Sequence, residues 1–199
     1  MGRKSTLFLL IVLSFTTTTF GQLRDSVLVK TPIFEVMYSE TKEQPLWVKY
    51  TAKPITKVAD RKGLDFYTEK NYHTSDNNDY AANIYDKGHM APAAHFTDSK
   101  ENLRQTFTYL NSALQNERLN RGEWRLLEAQ ERVWADTEVL EVHIRAIFSD
   151  KSVKLPTNAT VPDAFYKVIK FTKSGKTMCF YFPNQPPTKK WPEYQIDCK

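Results

Sequence analysis

One helical segment stands among strand-like runs, and that imbalance constrains the fold of this chain more than any other feature. Over about residues 116–136, Leu119, Leu126, Val133 and Trp134 recur near helical spacing, while Arg118, Arg121, Arg125, Glu131 and Arg132 populate the other faces. Upstream, residues 33–38 and 46–51 alternate in part as strands do, and Gln44-Pro45 between them suggests a hairpin. Downstream, residues 138–148, 164–171 and 177–182 read as strands, with Gly175 in the turn between the last two. Pro183, Pro186 and Pro187 then end strand pairing. Residues 70–80 are polar and turn-rich and read as a loop, and residues 100–110 begin as a short helix. The pattern predicts an α+β fold, a central and mostly antiparallel sheet with flanking helices.

Residues 1–21 read as a signal peptide. Arg3 and Lys4 precede an apolar core from Leu7 to Phe15, too short to span a bilayer, and Thr19-Phe20-Gly21 offers small residues where a signal peptidase reads. Cleavage after Gly21 leaves residues 22–199 as a single domain of ordinary size, secreted or periplasmic and with no membrane attachment. Losing Arg3 and Lys4 lowers the formal charge from +5 to +3. So small an excess is compatible with a polyanion partner and equally with a solvated surface. Cys179 and Cys198 are the two cysteines. Export permits a disulfide between them, and the sequence leaves disulfide and free thiols equally open.

His89 lies in Tyr85-Asp86-Lys87-Gly88-His89-Met90-Ala91-Pro92. A neutral imidazole takes a proton from water near neutral pH. Gly88 frees the backbone just before it, and Asp86 is placed to orient nearby groups. No Gly-x-Ser-x-Gly elbow accompanies the histidine, which argues against an acyl-transfer triad. His73, His89, His95 and His143 lack zinc-site spacing. Asn120, Trp124 and Glu128 follow at four-residue steps, which stack them along one side of a helix over about 12 Å. An amide oxygen such as that of Asn120 is a hard ligand suited to Mg²⁺, an ion that keeps several waters, and Glu128 can hold those waters. Trp124 reads as a core anchor. Arg61 and Lys87 are candidate cations for a phosphoryl group.

Taken together, Tyr85 to Pro92 resembles the Asp-Arg-Gly-His motif of the DNA/RNA non-specific endonuclease family, the ββα-metal nucleases that include mitochondrial endonuclease G. Asn111 to Gln115, Leu119 to Gly122, Trp124 and Leu127-Glu128 resemble the family's second signature in order and spacing. Similar landmarks extend the resemblance over about residues 33–198. The resemblance implies a ββα-metal motif at the active site. It implies His89 as general base, Asn120 as the direct ligand of one Mg²⁺ (with Mn²⁺ as the alternative ion), Glu128 as support for metal-bound water and Arg61 at the phosphate site. Asn111 matches the asparagine that opens the second signature, and Lys87 stands where the motif has arginine. The implied reaction is metal-assisted hydrolysis of DNA or RNA, leaving 5′-phosphate ends and reading backbone phosphates rather than bases. Lys87, Leu114 and the Ile144-Arg145-Ala146 stretch depart from the family pattern. Lys87 and the Ile144-Arg145-Ala146 stretch motivate the alternative of a catalytically inactive relative that binds nucleic acid or a protein partner, while Leu114 alters only local packing. Oligomeric state stays unassigned.

Overall fold

A computed structural model describes residues 22–198, so the signal-peptide expectation lies outside the described residues. A seven-stranded antiparallel sheet forms the body, in the order β1 (Val27–Lys30), β2 (Phe34–Ser39), β3 (Gln44–Ala52), β6 (Leu140–Ile147), β7 (Ala164–Phe171), β8 (Thr177–Pro183), β9 (Gln195–Ile196). The expected α+β class is the observed one. A separate antiparallel pair, β4 (Tyr85–His89) and β5 (Ser112–Asn116), stands apart from this sheet. Helix α1 (Lys100–Gln105) lies between the two strands of that pair, capped by the Ser99 side chain on the Asn102 N–H. Among the described residues, no helix is long and apolar enough to cross a membrane.

Alternation decides which face of the large sheet is covered. Val48, Tyr50 and Ala52 on β3, Val142 and Ile144 on β6, and Phe165 and Ile169 on β7 turn to the helix side and are buried. The main hydrophobic core forms there, with Trp124 and Leu127 from the helix filling it. Cys179 and Cys198 are disulfide-bonded, which resolves the open question of the cysteines and ties the C-terminal segment to β8.

Several local expectations change. Gln44 and Pro45 belong to β3 itself, opposite Ser39 and Tyr38, so the hairpin turn falls earlier, at residues 40–43. Residues 85–89, soon after the polar 70–80 stretch, form a strand. The segment expected as one helix from about 116 begins at α2 (Glu117–Leu119), passes through a π-helical turn (Asn120–Trp124) and continues as α3 (Arg125–Ala135). Gly122 at φ −102°, ψ −116° breaks the ladder inside that turn. The buried face of α3 is also different: Leu126 and Val133 are exposed, and Leu127, Glu131 and Ala135 face inward. A glutamate in the core row disguised the true face, because a charge reads as surface. The Ile144-Arg145-Ala146 stretch, which departs from the family pattern, lies inside β6. Those residues continue the strand, with Ile144 fully buried and Arg145 on the outer face.

Candidate active site

The site is built on the small β4–β5 pair and the π-turn that follows it. The sequence of β5, Ser-Ala-Leu-Gln-Asn, has little intrinsic strand preference, and side chains hold its free edge. The Gln44 Oε1 accepts the Leu114 N–H at 2.8 Å. The Asn184 amide donates to the Leu114 carbonyl at 2.8 Å and to that of Pro162 at 2.8 Å, and its Oδ1 accepts the Asn116 N–H at 2.7 Å. Two amide side chains thus do the work of a third strand. Gly88 is required here for space. Its φ is unexceptional, but a Cβ there would strike the Gln115 side chain. Asn116 then caps the helix, accepting from the Arg118 and Leu119 N–H groups at 3.1 and 3.4 Å.

Asn120 opens the π-turn, and its Nδ2 donates to the Asp86 Oδ2 at 2.8 Å. That bond fixes the amide orientation, because a carboxylate accepts only from the nitrogen side. The Asn120 Oδ1 has no hydrogen-bond partner among the described residues, so a lone pair is available there. Asp86 is itself clamped by Arg121, whose Nε and NH2 donate at 2.9 and 2.6 Å. Asp86 is therefore the residue that orients the proposed ligand. Its place two residues along the strand from Gly88 was the available sequence signal.

Arg61, Asp86, Lys87 and Asn120 line one cleft of about 540 Å³, together with Leu64, Asp65, Phe66, Tyr80, Tyr85, Phe107 and Arg121. His89 packs between two of those walls, with ring centroids 4.8 Å from Phe66 and 5.0 Å from Phe107. Its Nε2 is enclosed and lacks a hydrogen-bond partner among the described residues. Burial, helped by the Arg61 cation, pushes the imidazole down to about 3, so it is neutral across the working pH range. Arg61 lies over the same Phe107 ring at 5.3 Å. Lys87 donates to the Asn77 Oδ1, lies 3.5 Å from Asp65 and sits over Phe66 and Tyr109 at 5.4 Å each. Its ammonium is held at the cleft as a point charge.

Glu128 stands in the first turn of α3, about two turns beyond Asn120, and is not among the residues lining that cleft. Its carboxyl is pushed up to about 7, first by burial, opposed by the Lys167 ammonium, and then by the neighbouring Glu131 charge. Asn111 is fully buried away from the cleft. Its Oδ1 accepts the Ala91 N–H at 2.7 Å, and its Nδ2 donates to the carbonyls of Ala91 and Thr106 at 2.9 and 3.0 Å. Asn111 thus positions the chain just after His89 and has no polar group left for a substrate. Arg132, given no role by the sequence reading, lines a second cleft of about 510 Å³ with Lys57 and Asp60, and Arg61 belongs to both clefts.

These residues suit a hard divalent cation. One amide oxygen, with no group of three or more His, Cys, Asp and Glu that could hold a metal among the described residues, matches an ion that binds few protein atoms and keeps its waters. When bound, such an ion stabilises charge on a phosphoryl group.

Comparison with known proteins points the same way. A family model described as DNA/RNA non-specific endonuclease matches residues 13–199. The chain is 29% identical to "Nuclease EXOG, mitochondrial" of Xenopus laevis over 183 residues, covering 80% of this chain and 51% of that protein. It is 27% identical to "Endonuclease G, mitochondrial" of Homo sapiens over 173 residues, covering 77% of this chain and 58% of the relative. The chain therefore spans about half the length of these curated relatives. Its fold superimposes on a solved structure of an EndoG/EndoGI complex with a TM-score of 0.78 at 24% identity, covering 89% of this chain and 82% of that one.

Proposed function

The chain belongs to the DNA/RNA non-specific endonuclease family, and on that premise we propose that residues 22–199 form a single exported nuclease domain that hydrolyses phosphodiester bonds of DNA, RNA or both with one Mg²⁺ or Mn²⁺. The observation that carries the reading is the Asp86–Asn120 bond, which leaves an amide oxygen for a cation on a cleft that also holds Arg61 and Lys87. His89 is the general base. It is neutral and takes the proton of the attacking water as the new oxygen–phosphorus bond forms and the bond from phosphorus to the 3′-oxygen breaks; the 3′-oxygen leaves, takes up a proton from solvent water, and the phosphate stays on the 5′ side. A substrate phosphate beside Arg61 offsets the cation that depresses His89 and raises its proton affinity as substrate binds. Arg61 and Lys87 bind the phosphate, Glu128 would orient the waters of a bound ion, and Asn111 holds the loop that places His89. Because contacts fall on the backbone, binding weakens steeply with salt and base sequence matters little. The signal-like start of the chain supports export to the periplasm or medium.

Incubation with plasmid DNA and with RNA, with product ends mapped, tests this. The expected result is cleavage at many sequences leaving 5′-phosphate ends, lost in His89→Ala. A His89→Ala variant as active as wild type contradicts the assigned base. A folded wild-type protein that binds DNA without cutting it at any pH places the chain among inactive binders instead.

A further inference from the structure

Lys167, on β7, is a cation with no part in the chemistry above, and it is completely buried. Its Nζ donates to the Glu131 Oε1 at 2.6 Å, and both side chains are fully enclosed. It also lies over the Trp124 ring at 4.2 Å. Trp124 and Glu131 are the residues four before and three after Glu128, so all three share one face of the helix. The ammonium therefore stands on the same face of the helix as Glu128, near enough for its charge to act on the Glu128 carboxyl.

Glu131 is already committed. Its other oxygen accepts the Tyr50 hydroxyl at 2.7 Å, and His95 Nε2 lies 3.6 Å from it. Two carboxylates three residues apart in a low-dielectric interior repel, and without a cation one of them takes up a proton. Resting on the reading that Glu128 serves nuclease chemistry, we propose that Lys167 is a positioning residue: its ammonium opposes protonation of the Glu128 carboxylate while remaining anchored by Glu131. The groups that face Glu128 are Lys167 from β7, Glu131 and Arg132 from its own helix and Tyr50 from β3, with His95 behind Glu131. Of the two charges that act on it most, Lys167 outweighs Glu131. Arg132 contributes less and spends one N–H on the Glu128 carbonyl at 3.0 Å.

The test is a ¹³C NMR titration of the Glu128 carboxyl in metal-free protein, assigned by its loss in Glu128→Gln, with the pH profile of cleavage as the second readout. In Lys167→Met the Glu128 titration moves to higher pH by about one to three units, and the acid limb of cleavage moves with it. Should Lys167→Met not fold, the double variant Lys167→Met/Glu131→Gln removes the buried charge pair whole, a change that interiors tolerate better than half a pair. There the Glu128 titration moves the same way by less, because the stronger of two opposed charges has gone. Reduced activity with an unmoved Glu128 titration in the variants that fold overturns the proposal and leaves Lys167 a packing residue. A titration that moves in a protein with no nuclease activity supports the coupling and overturns the nuclease reading alone.

Discussion

The two sheets of this molecule are held together by different means. In the seven-stranded sheet, apolar side chains on alternate positions meet a helix, and backbone pairs with backbone from strand to strand. In the β4–β5 pair, the strands read Tyr-Asp-Lys-Gly-His and Ser-Ala-Leu-Gln-Asn, and the free edge is closed by the amides of Gln44 and Asn184. The large sheet gains stability from burial, while the small one spends polar groups to hold other polar groups at set positions. The proposed chemistry sits on the second kind of structure, because a cation ligand and a base need orientation more than they need a dry interior.

The sharpest break in that comparison is expected at the base. His89→Ala lowers cleavage by about 10²–10⁴-fold in a protein that stays folded, losing only the packing of the imidazole against Phe66 and Phe107. Next comes the polar clasp. Asn184→Ala removes three hydrogen bonds and leaves partly buried backbone groups unpaired, at a cost of about 2–4 kcal/mol in urea unfolding. Activity falls with it, because β5 leads directly into the helix that carries Asn120. A cost below about 0.5 kcal/mol would mean that the amide clasp is ornamental.

Glu128 offers a finer test through pH. Its folded carboxyl titrates near 7, above the unfolded value, so the fold binds a proton there more tightly than the unfolded chain does. The resulting stability is complete below the unfolded value near 4.5 and is lost as pH rises through 7. Glu128→Gln is therefore expected to stabilise the protein at pH 8, by about 1–2 kcal/mol after discounting for solvent screening, while lowering activity. Equal stability of variant and wild type at high pH would contradict it. Glu131 behaves oppositely. Its carboxyl is held below its usual range by Lys167, so its stability contribution is present above the unfolded value and is lost as pH falls through the folded one. The smallest effect belongs to the outer face of the large sheet, where Leu28→Ser at a half-exposed edge position changes unfolding by less than about 0.5 kcal/mol.

The same contrast explains what the sequence could show. The large sheet was legible from strands 33–38, 138–148, 164–171 and 177–182, because apolar periodicity is written in the residues that pack. Strands β4 and β5 were not, since polar pairs with Gln44 and Asn184 join residues 68 to 70 positions apart and leave no local pattern. The inward face of α3 was misread for a related reason, because Glu131 is buried only by virtue of Lys167, thirty-six residues away. The proposed roles of His89, Asn120 and Arg61 came from motif order, and the structure puts Asn120 and Arg61 on one cleft and Asn111 in the framework. The gathering of Arg61, Lys87 and Asn120 on one cleft needed three-dimensional structure.

The central claim is that the small sheet and its π-turn make a one-metal nuclease centre through the Asn120 amide oxygen. Cleavage of plasmid DNA and of RNA across a Mg²⁺ titration, by wild type and by Asn120→Ala, tests it most directly. The account predicts cleavage that needs Mg²⁺, stops with EDTA, and in Asn120→Ala is nearly lost or requires far more Mg²⁺. EDTA-resistant cleavage, or an Asn120→Ala variant with the wild-type Mg²⁺ dependence, would contradict it.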